Sequence, residues 1–304
     1  MEYLLWLQSI RSDALNIILM AATDFITSPV VYVGIALLYW CFNKRAGCFI
    51  AMNISFGSMI NQALKNTFCV MRPWIRNSNI KPVPAAMETA TGYSFPSGHT
   101  QVASSEFLSL AVWQKKRKWL VSVCIFITML VMFTRNYLGV HTLEDVLVSL
   151  GVSLLVIFAN DKLLTWVDSG KNRDLTILGI GLVISAVFLI YITIKPYPIN
   201  PLCPPEEMIT DCYSAGGCVV GFLIGWVCER HILNFKTDVL KSAKAIRGIV
   251  GTILLLMLVI FLMKPMEALH PYGGEFGFFA LTFIFILFIY PAIFMIWERK
   301  SQRS

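Results

Sequence analysis

What most constrains this chain is a succession of apolar stretches, each close to the roughly 20 residues that a helix needs to cross a bilayer. They fall at about 28–42 (short), 46–64, 98–113, 119–134, 142–159, 175–194, 213–228, 246–263 and 276–297. A chain so built must satisfy its backbone hydrogen bonds within each segment, and in lipid that means helices. The predicted fold class is therefore all-α, a polytopic transmembrane helical bundle. Composition agrees, because hydrophobic residues make up 57% and charged residues only 14%, against about 25% charged in soluble domains. So few charges cannot clothe a soluble surface, and the same figures exclude disordered, collagenous and disulfide-scaffold chains.

Residues 3–22 are also apolar but are interrupted by Gln8, Arg11 and Asp13. They read either as an interfacial helix or as one more span. A secretory signal peptide fits less well, since a basic start and a small-residue cleavage site are missing. The expected organisation is an N-terminal helix with a core over 1–194, followed by additional helices of the same domain over 195–304.

A net charge of +7 is read by position, not as a nucleic-acid signal. Seventeen of the 25 basic residues fall in one alternating set of loops, among them Lys44, Arg45, Lys115, Lys116, Arg117, Lys171 and Lys241. The positive-inside rule puts that face in the cytoplasm and the other outside. Localisation is then expected to be the plasma membrane with the sparse face outward, or the lumen in an endomembrane. Most of the eight cysteines lie in apolar runs, where Cys behaves as a small hydrophobe. Only Cys203 and Cys212 share a polar loop, and a disulfide between them is left open. There is no CxxC and no Cys/His cluster, so no zinc site is expected.

Three segments on the sparse face carry chemistry: Lys65 to Arg72-Pro73, then Phe95-Pro96-Ser97-Gly98-His99, then Thr134-Arg135 through His141 to Asp145. Each has a bland reading. Lys65 and Arg72 could snorkel toward headgroups, Ser97 could cap a helix, and His141 with Asp145, at i and i+4 on one helix face, could be a structural pair. Glu144 competes with Asp145 for that role. Together, however, they bring two of the four histidines, three cations and an acid in an apolar span to one face, and an intramembrane carboxylate is a functional candidate by default.

Phosphoryl transfer asks for positive charge around the equatorial oxygens and an in-line nucleophile. Lys65, Arg72 and Arg135 would supply the charge, with the Ser97 and Gly98 backbone N–H groups as an anion cradle at a helix N-terminus and the Ser97 hydroxyl as a further donor. His141, oriented by Asp145, would be the nucleophile and form a phosphohistidine. His99 would be the general acid for the leaving oxygen and then activate water. No acidic cluster points to a dinuclear metal site, so no cofactor and no metal are expected.

These segments resemble the signature of the type 2 phosphatidic acid phosphatase superfamily: K-x6-R-P, P-S-G-H and S-R-x5-H-x3-D. That family includes membrane lipid phosphatases, polyprenyl pyrophosphate phosphatases, sphingosine-phosphate phosphatases and glucose-6-phosphatases. The resemblance implies a six-helix core, a phosphohistidine intermediate and metal independence, with Lys65, Arg72, Ser97, Gly98, His99, Arg135, His141 and Asp145 at the functional positions. It covers residues 65–145 and departs from the pattern at Thr134, which stands where Ser is usual but keeps a hydroxyl.

Beyond the core, a Pro-rich outer loop from Lys195 to Asp211 and about three further spans are expected. Trp74 and Tyr93 could line a substrate mouth or anchor the interface. The segment from Lys264 to Phe276, with His270, reads better as a helix-connecting turn than as a cover for the site, and His231 as a solvated loop residue. The expected partner is a phosphorylated lipid in the membrane, with no nucleic acid and the oligomeric state not legible. The rivals are hydrolysis of a soluble sugar phosphate and a non-enzymatic transporter of phosphorylated lipids.

Overall fold

The computed structural model describes residues 1–28, 30–198 and 204–301. Among these the secondary structure is helical, without strands. Besides the short helical turns Pro73–Arg76 and Pro84–Glu88, the helices are α1 (Glu2–Ser9), α2 (Asp13–Ile26), α3 (Val30–Phe42), α4 (Lys44–Phe68), α5 (98–113), α6 (Lys118–Tyr137), α7 (Leu143–Asp168), α8 (Arg173–Ile194), α9 (Pro205–Leu233), α10 (Lys241–Leu269) and α11 (Pro271–Arg299). Six of them, α6 to α11, are long and apolar enough to cross a membrane, and a seventh span results if α2 and α3 are counted as one broken crossing. The protein is an all-α polytopic membrane protein.

Two helices fall outside that count for a physical reason. α4 runs 25 residues, yet it carries Asn53, Ser55, Asn61, Lys65 and Asn66, all buried. Its polar side chains face the protein, which lowers its hydropathy without exposing them to lipid. α5 (98–113) is too short for a full crossing; it too buries Thr100, Gln101, Ser104, Ser105, Glu106 and Ser109 and contains a wide π turn over Ser104–Leu108, a distortion common at functional helices.

The interrupted N-terminal stretch forms two helices. The three polar residues that break its pattern are positioned at and beside the break. Gln8 exchanges hydrogen bonds with the backbone of Asn79 (3.3 Å) and Lys81 (2.7 Å). Arg11 donates to the carbonyls of Tyr137 (2.6 Å) and Lys81. Ser12 caps α2 by accepting from Leu15 N–H, with Asp13 in the first turn. Leu4 and Leu7 then bury against Ile80, Ala86, Tyr137, Leu138 and Val140, so α1 packs on the loops beside the motif residues.

The Pro-rich loop is shorter than expected, because α9 already begins at Pro205. Pro at the first helical position, followed by Glu206 and Glu207 in the first turn, is a strong helix start. Cys203 lies outside the described residues, so its pairing with Cys212 does too. The Lys264 to Phe276 segment is a helix junction: His270 caps α11, its Nδ1 accepting from Gly273 N–H at 3.0 Å.

The chain divides into two compact units. One comprises Met1–Val30, Gly57–Ala159 and Ile192–Ile209, and contains every motif residue. The other comprises Val31–Phe56, Asn160–Tyr191 and Thr210–Ser304. In the second, buried Arg247 pairs with both oxygens of Glu298 at 2.7 Å and donates to the carbonyls of Trp40 and Lys236. A chain of ion pairs runs Arg45–Asp168–Arg230–Asp174–His231 at 2.9–3.1 Å. His231 is thus held by a carboxylate, not merely solvated: the last turn of α9 brings it to the first turn of α8.

Candidate active site

Four helix ends meet in the first unit. Lys65 sits in the last turn of α4, His99 in the first turn of α5, Arg135 in the last turn of α6, and Asp145 in the first turn of α7. His141 lies in the turn between α6 and α7, which passes through Gly139 at φ 78°. Glycine is the residue that takes this left-handed conformation without strain. Lys65, Arg72, Ser97, Arg135, His141 and Asp145 are all buried.

His141 precedes its helix, so it and Asp145 meet across a helix start and not along a helix face. Thr142 Oγ1 accepts from Asp145 N–H at 3.4 Å, while Asp145 Oδ2 accepts from Thr142 N–H at 2.7 Å. This is a capping box with Asp as its acid, and a carboxylate in a first turn is also favoured by the helix dipole. The same Oδ2 accepts from Ser94 Oγ at 2.5 Å and stands 3.4 Å from His141 Nδ1. Asn136 Nδ2 donates to the carbonyls of His141 and Thr142, both at 3.0 Å, and so fixes the turn. Glu144, the competing acid, is exposed.

The other ring nitrogen faces Arg72. Nη1 of Arg72 stands 2.9 Å from His141 Nε2. A guanidinium has only hydrogens to offer, so Nε2 must be the acceptor and Nδ1 carries the ring proton toward Asp145. Burial first, and then the Arg72 charge, hold His141 well below the usual imidazole range, so the ring is neutral. Arg72 is itself anchored: Nε donates to Gly92 O at 2.9 Å, Nη2 to Thr91 O at 2.5 Å and Nη1 to Val140 O at 3.1 Å. Its guanidinium also lies over the half-buried Trp74 ring, 5.9 Å from the centroid.

Arg135 is different. It is fully buried, yet none of its three guanidinium nitrogens has a hydrogen-bond partner among the described residues. A buried unsatisfied cation is costly, and three donors converging without an acceptor suit an oxyanion. The Lys65 ammonium lies alongside Gly98, where an added Cβ would stand 3.8 Å from Nζ. Arg135, His141, Arg72 and Lys65 are all within electrostatic reach of His99.

Ser97 caps α5, its Oγ accepting from Thr100 N–H at 3.4 Å. Its own N–H donates to Asp145 O at 3.1 Å. That removes the Ser97 N–H from the expected cradle and leaves the first-turn N–H groups of Gly98 and His99, which have no intrahelical acceptor. Tyr93 does not line a mouth: it is fully buried in a cluster with Met208, Cys69, Met71, Ile75 and Tyr197. Sequence reading also missed Ser94, Asn136 and Thr142. For Thr142 a signal existed, since T-x-x-D ahead of an apolar run is a capping pattern.

Comparison with known proteins follows the same residues. The profile described as the PAP2 superfamily matches residues 45–169, and that of the PAP2 superfamily phosphatase, transmembrane extension, matches residues 213–301. Phosphatidylglycerophosphatase B of Bacillus subtilis (strain 168) is 26% identical over 163 residues, which is 50% of this chain and 73% of that protein. Undecaprenyl-diphosphatase of Sulfolobus acidocaldarius is 27% identical over 119 residues, 38% of this chain and 55% of that protein. The aligned part thus spans little more than half the length of the second relative. No solved structure matches.

Proposed function

The chain belongs to the PAP2 superfamily, and from that premise we propose that this membrane phosphatase hydrolyses a lipid phosphate or diphosphate through a phosphohistidine, at the extracytoplasmic face. The observation that carries the reading is His141 held between two charges, with Arg72 on Nε2 and Asp145 beside Nδ1.

In this mechanism a terminal phosphate enters among Lys65, Arg72 and Arg135, with the Ser97 hydroxyl and the first-turn N–H groups of α5 as further donors. Arg72 exchanges its bond to Nε2 for a phosphate oxygen, which delivers phosphorus to the freed lone pair. Nε2 attacks in line, and the bond to the leaving oxygen breaks as His99, held as the imidazolium by the negative charge of the bound phosphate, donates its proton and becomes neutral. Asp145 stabilises the charge that develops on the ring. Water, deprotonated by His99, then cleaves the P–N bond and releases inorganic phosphate. Charge neutralisation falls to the chain's own cations, and no metal takes part.

A lipid substrate follows from the site's position at helix ends, where a headgroup enters while its tail stays in the bilayer. The named activities of the two relatives, on phosphatidylglycerophosphate and undecaprenyl diphosphate, fall in that class. The outward orientation rests on the distribution of Lys and Arg.

The test is phosphate release by purified protein in detergent with EDTA. The panel holds phosphatidic acid, phosphatidylglycerophosphate, undecaprenyl diphosphate, sphingosine 1-phosphate and glucose 6-phosphate. His141→Ala should lower turnover at least about a thousandfold. His99→Ala, quenched in alkali, should retain protein-bound phosphate that His141→Ala lacks. Release confined to glucose 6-phosphate, or equal release by wild type and His141→Ala, would overturn the reading.

A further inference from the structure

α10 begins against electrostatic expectation. Its first turn contains Lys241 and Lys244 and no acidic residue, and Leu240 gives no side-chain cap. The helix dipole makes that end positive, so lysines there are unfavourable unless an anion is close. Neither lysine has an ion-pair partner among the described residues.

Both lysines line the end of a groove of about 860 Å³ whose other walls are Leu37, Cys41 and Phe42 from α3 and Ala245, Gly248, Ile249, Thr252 and Ile253 from α10. No carboxylate lines it. The α10 positions recur at three and four residues and form one helix face. Gly248 lets α10 lie close against α3, since a Cβ there would stand 3.2 Å from Leu37 Cδ2. From residue 241 to 253 the helix rises about 18 Å, close to the roughly 15 Å hydrocarbon depth of one leaflet.

We propose that this groove binds one anionic glycerophospholipid of the adjacent leaflet, its phosphate on Lys241 and Lys244 and one acyl chain along Gly248, Ile249 and Thr252. The occupant is set by charge complementarity: a basic rim and uncapped helix end above an apolar trough one leaflet deep. The site belongs wholly to the second unit and shares no residue with the hydrolytic site.

The experiment uses full-length protein in detergent, with native mass spectrometry and thermal unfolding after addition of phosphatidylglycerol or phosphatidylcholine of the same acyl chains. Phosphatidylglycerol is a phosphodiester and offers no terminal phosphate to the hydrolytic site. The wild type should bind phosphatidylglycerol more tightly and melt higher with it, while glycerophosphoglycerol, the same phosphodiester headgroup without acyl chains, should give no shift. Lys241→Gln/Lys244→Gln, which changes only accessible side chains, should bind it about 30-fold more weakly, the loss expected for two lysines at an anionic lipid. Ala245→Trp, which fills the groove from an exposed position, should lose the response to both lipids. Equal responses to the two lipids in wild type, an undiminished preference in the double variant, or a full response in Ala245→Trp would each overturn the proposal. None of these outcomes depends on hydrolysis, so they are separable from failure of the phosphatase mechanism.

Discussion

The site turns on one carboxylate oxygen. Asp145 Oδ2 receives Ser94 Oγ and Thr142 N–H and faces His141 Nδ1, so Ser94 acts on His141 only through Asp145. Ser94→Ala should lower kcat roughly tenfold with little change in KM, the loss of one hydrogen bond to a charged group, and Ser94→Thr should restore most of it. A variant with unchanged kcat would remove Ser94 from the mechanism. Acidity gives a second test. Because the fold favours neutral His141, falling pH should not disable the nucleophile near 6.5, its unperturbed value. Once substrate ionisation is allowed for, kcat/KM should persist below that pH, whereas kcat, read with a dianion offsetting Arg72, should begin to decline at a higher pH than kcat/KM does as the solution is acidified. The linkage has the corresponding sign: the unfolded chain takes up a proton as pH drops through about 6.5, so this histidine's contribution to stability is present above that pH and lost below it. The eight motif residues were legible because their chemistry demands those types at those spacings. Ser94 was not, because a lone hydroxyl in a loop reads as turn chemistry until Asp145 folds against it from the next motif, and Asn136 was not, because an amide in the last turn of a helix reads as a helix end until the turn that follows closes on it.

At the level of elements, the start of α7 is both a helix cap and part of the site. Thr142→Ala removes the capping acceptor and should cost about 1 kcal/mol, seen as a lower melting temperature. It should also reduce turnover, since the capping box orients Asp145. Loss of stability without any loss of turnover would mean that the cap and the catalytic pair are separable. Element identity was largely readable from hydropathy, but boundaries were not. The stretch 46–64 extends to Lys44–Phe68 because the polar residues of α4 turn inward. α9 starts eight residues before the apolar stretch at 213 because Pro205, Glu206 and Glu207 satisfy a helix start, not a loop. The N-terminal stretch looked like one element because an apolar average conceals the docking contacts of Gln8 and Arg11.

For the molecule as a whole, the pair that buried Arg247 makes with half-buried Glu298 in the second unit resembles the interior pairs that are expensive to break from one side. Glu298→Ala should destabilise the protein by about 3 kcal/mol, while Arg247→Met/Glu298→Leu should recover much of the loss; equal melting temperatures for the two variants would contradict this. The division into two units was not visible in the sequence, because hydropathy reports lipid contact and carries no record of which helices pack together.

The guanidinium of Arg135, without a hydrogen-bond partner among the described residues, has an evolutionary consequence. A group that weakens the folded protein until an oxyanion arrives sets durability against turnover at a single codon. A screen that selects only for heat resistance should therefore enrich neutral replacements such as Arg135→Met, and these should be hardier and inactive. Vanadate or orthophosphate should narrow the gap by protecting the parent and not the replacement, by nearly 3 kcal/mol at about a hundred times the dissociation constant. Directed evolution of this scaffold would need the anion present throughout, or it would discard the residue on which its chemistry rests.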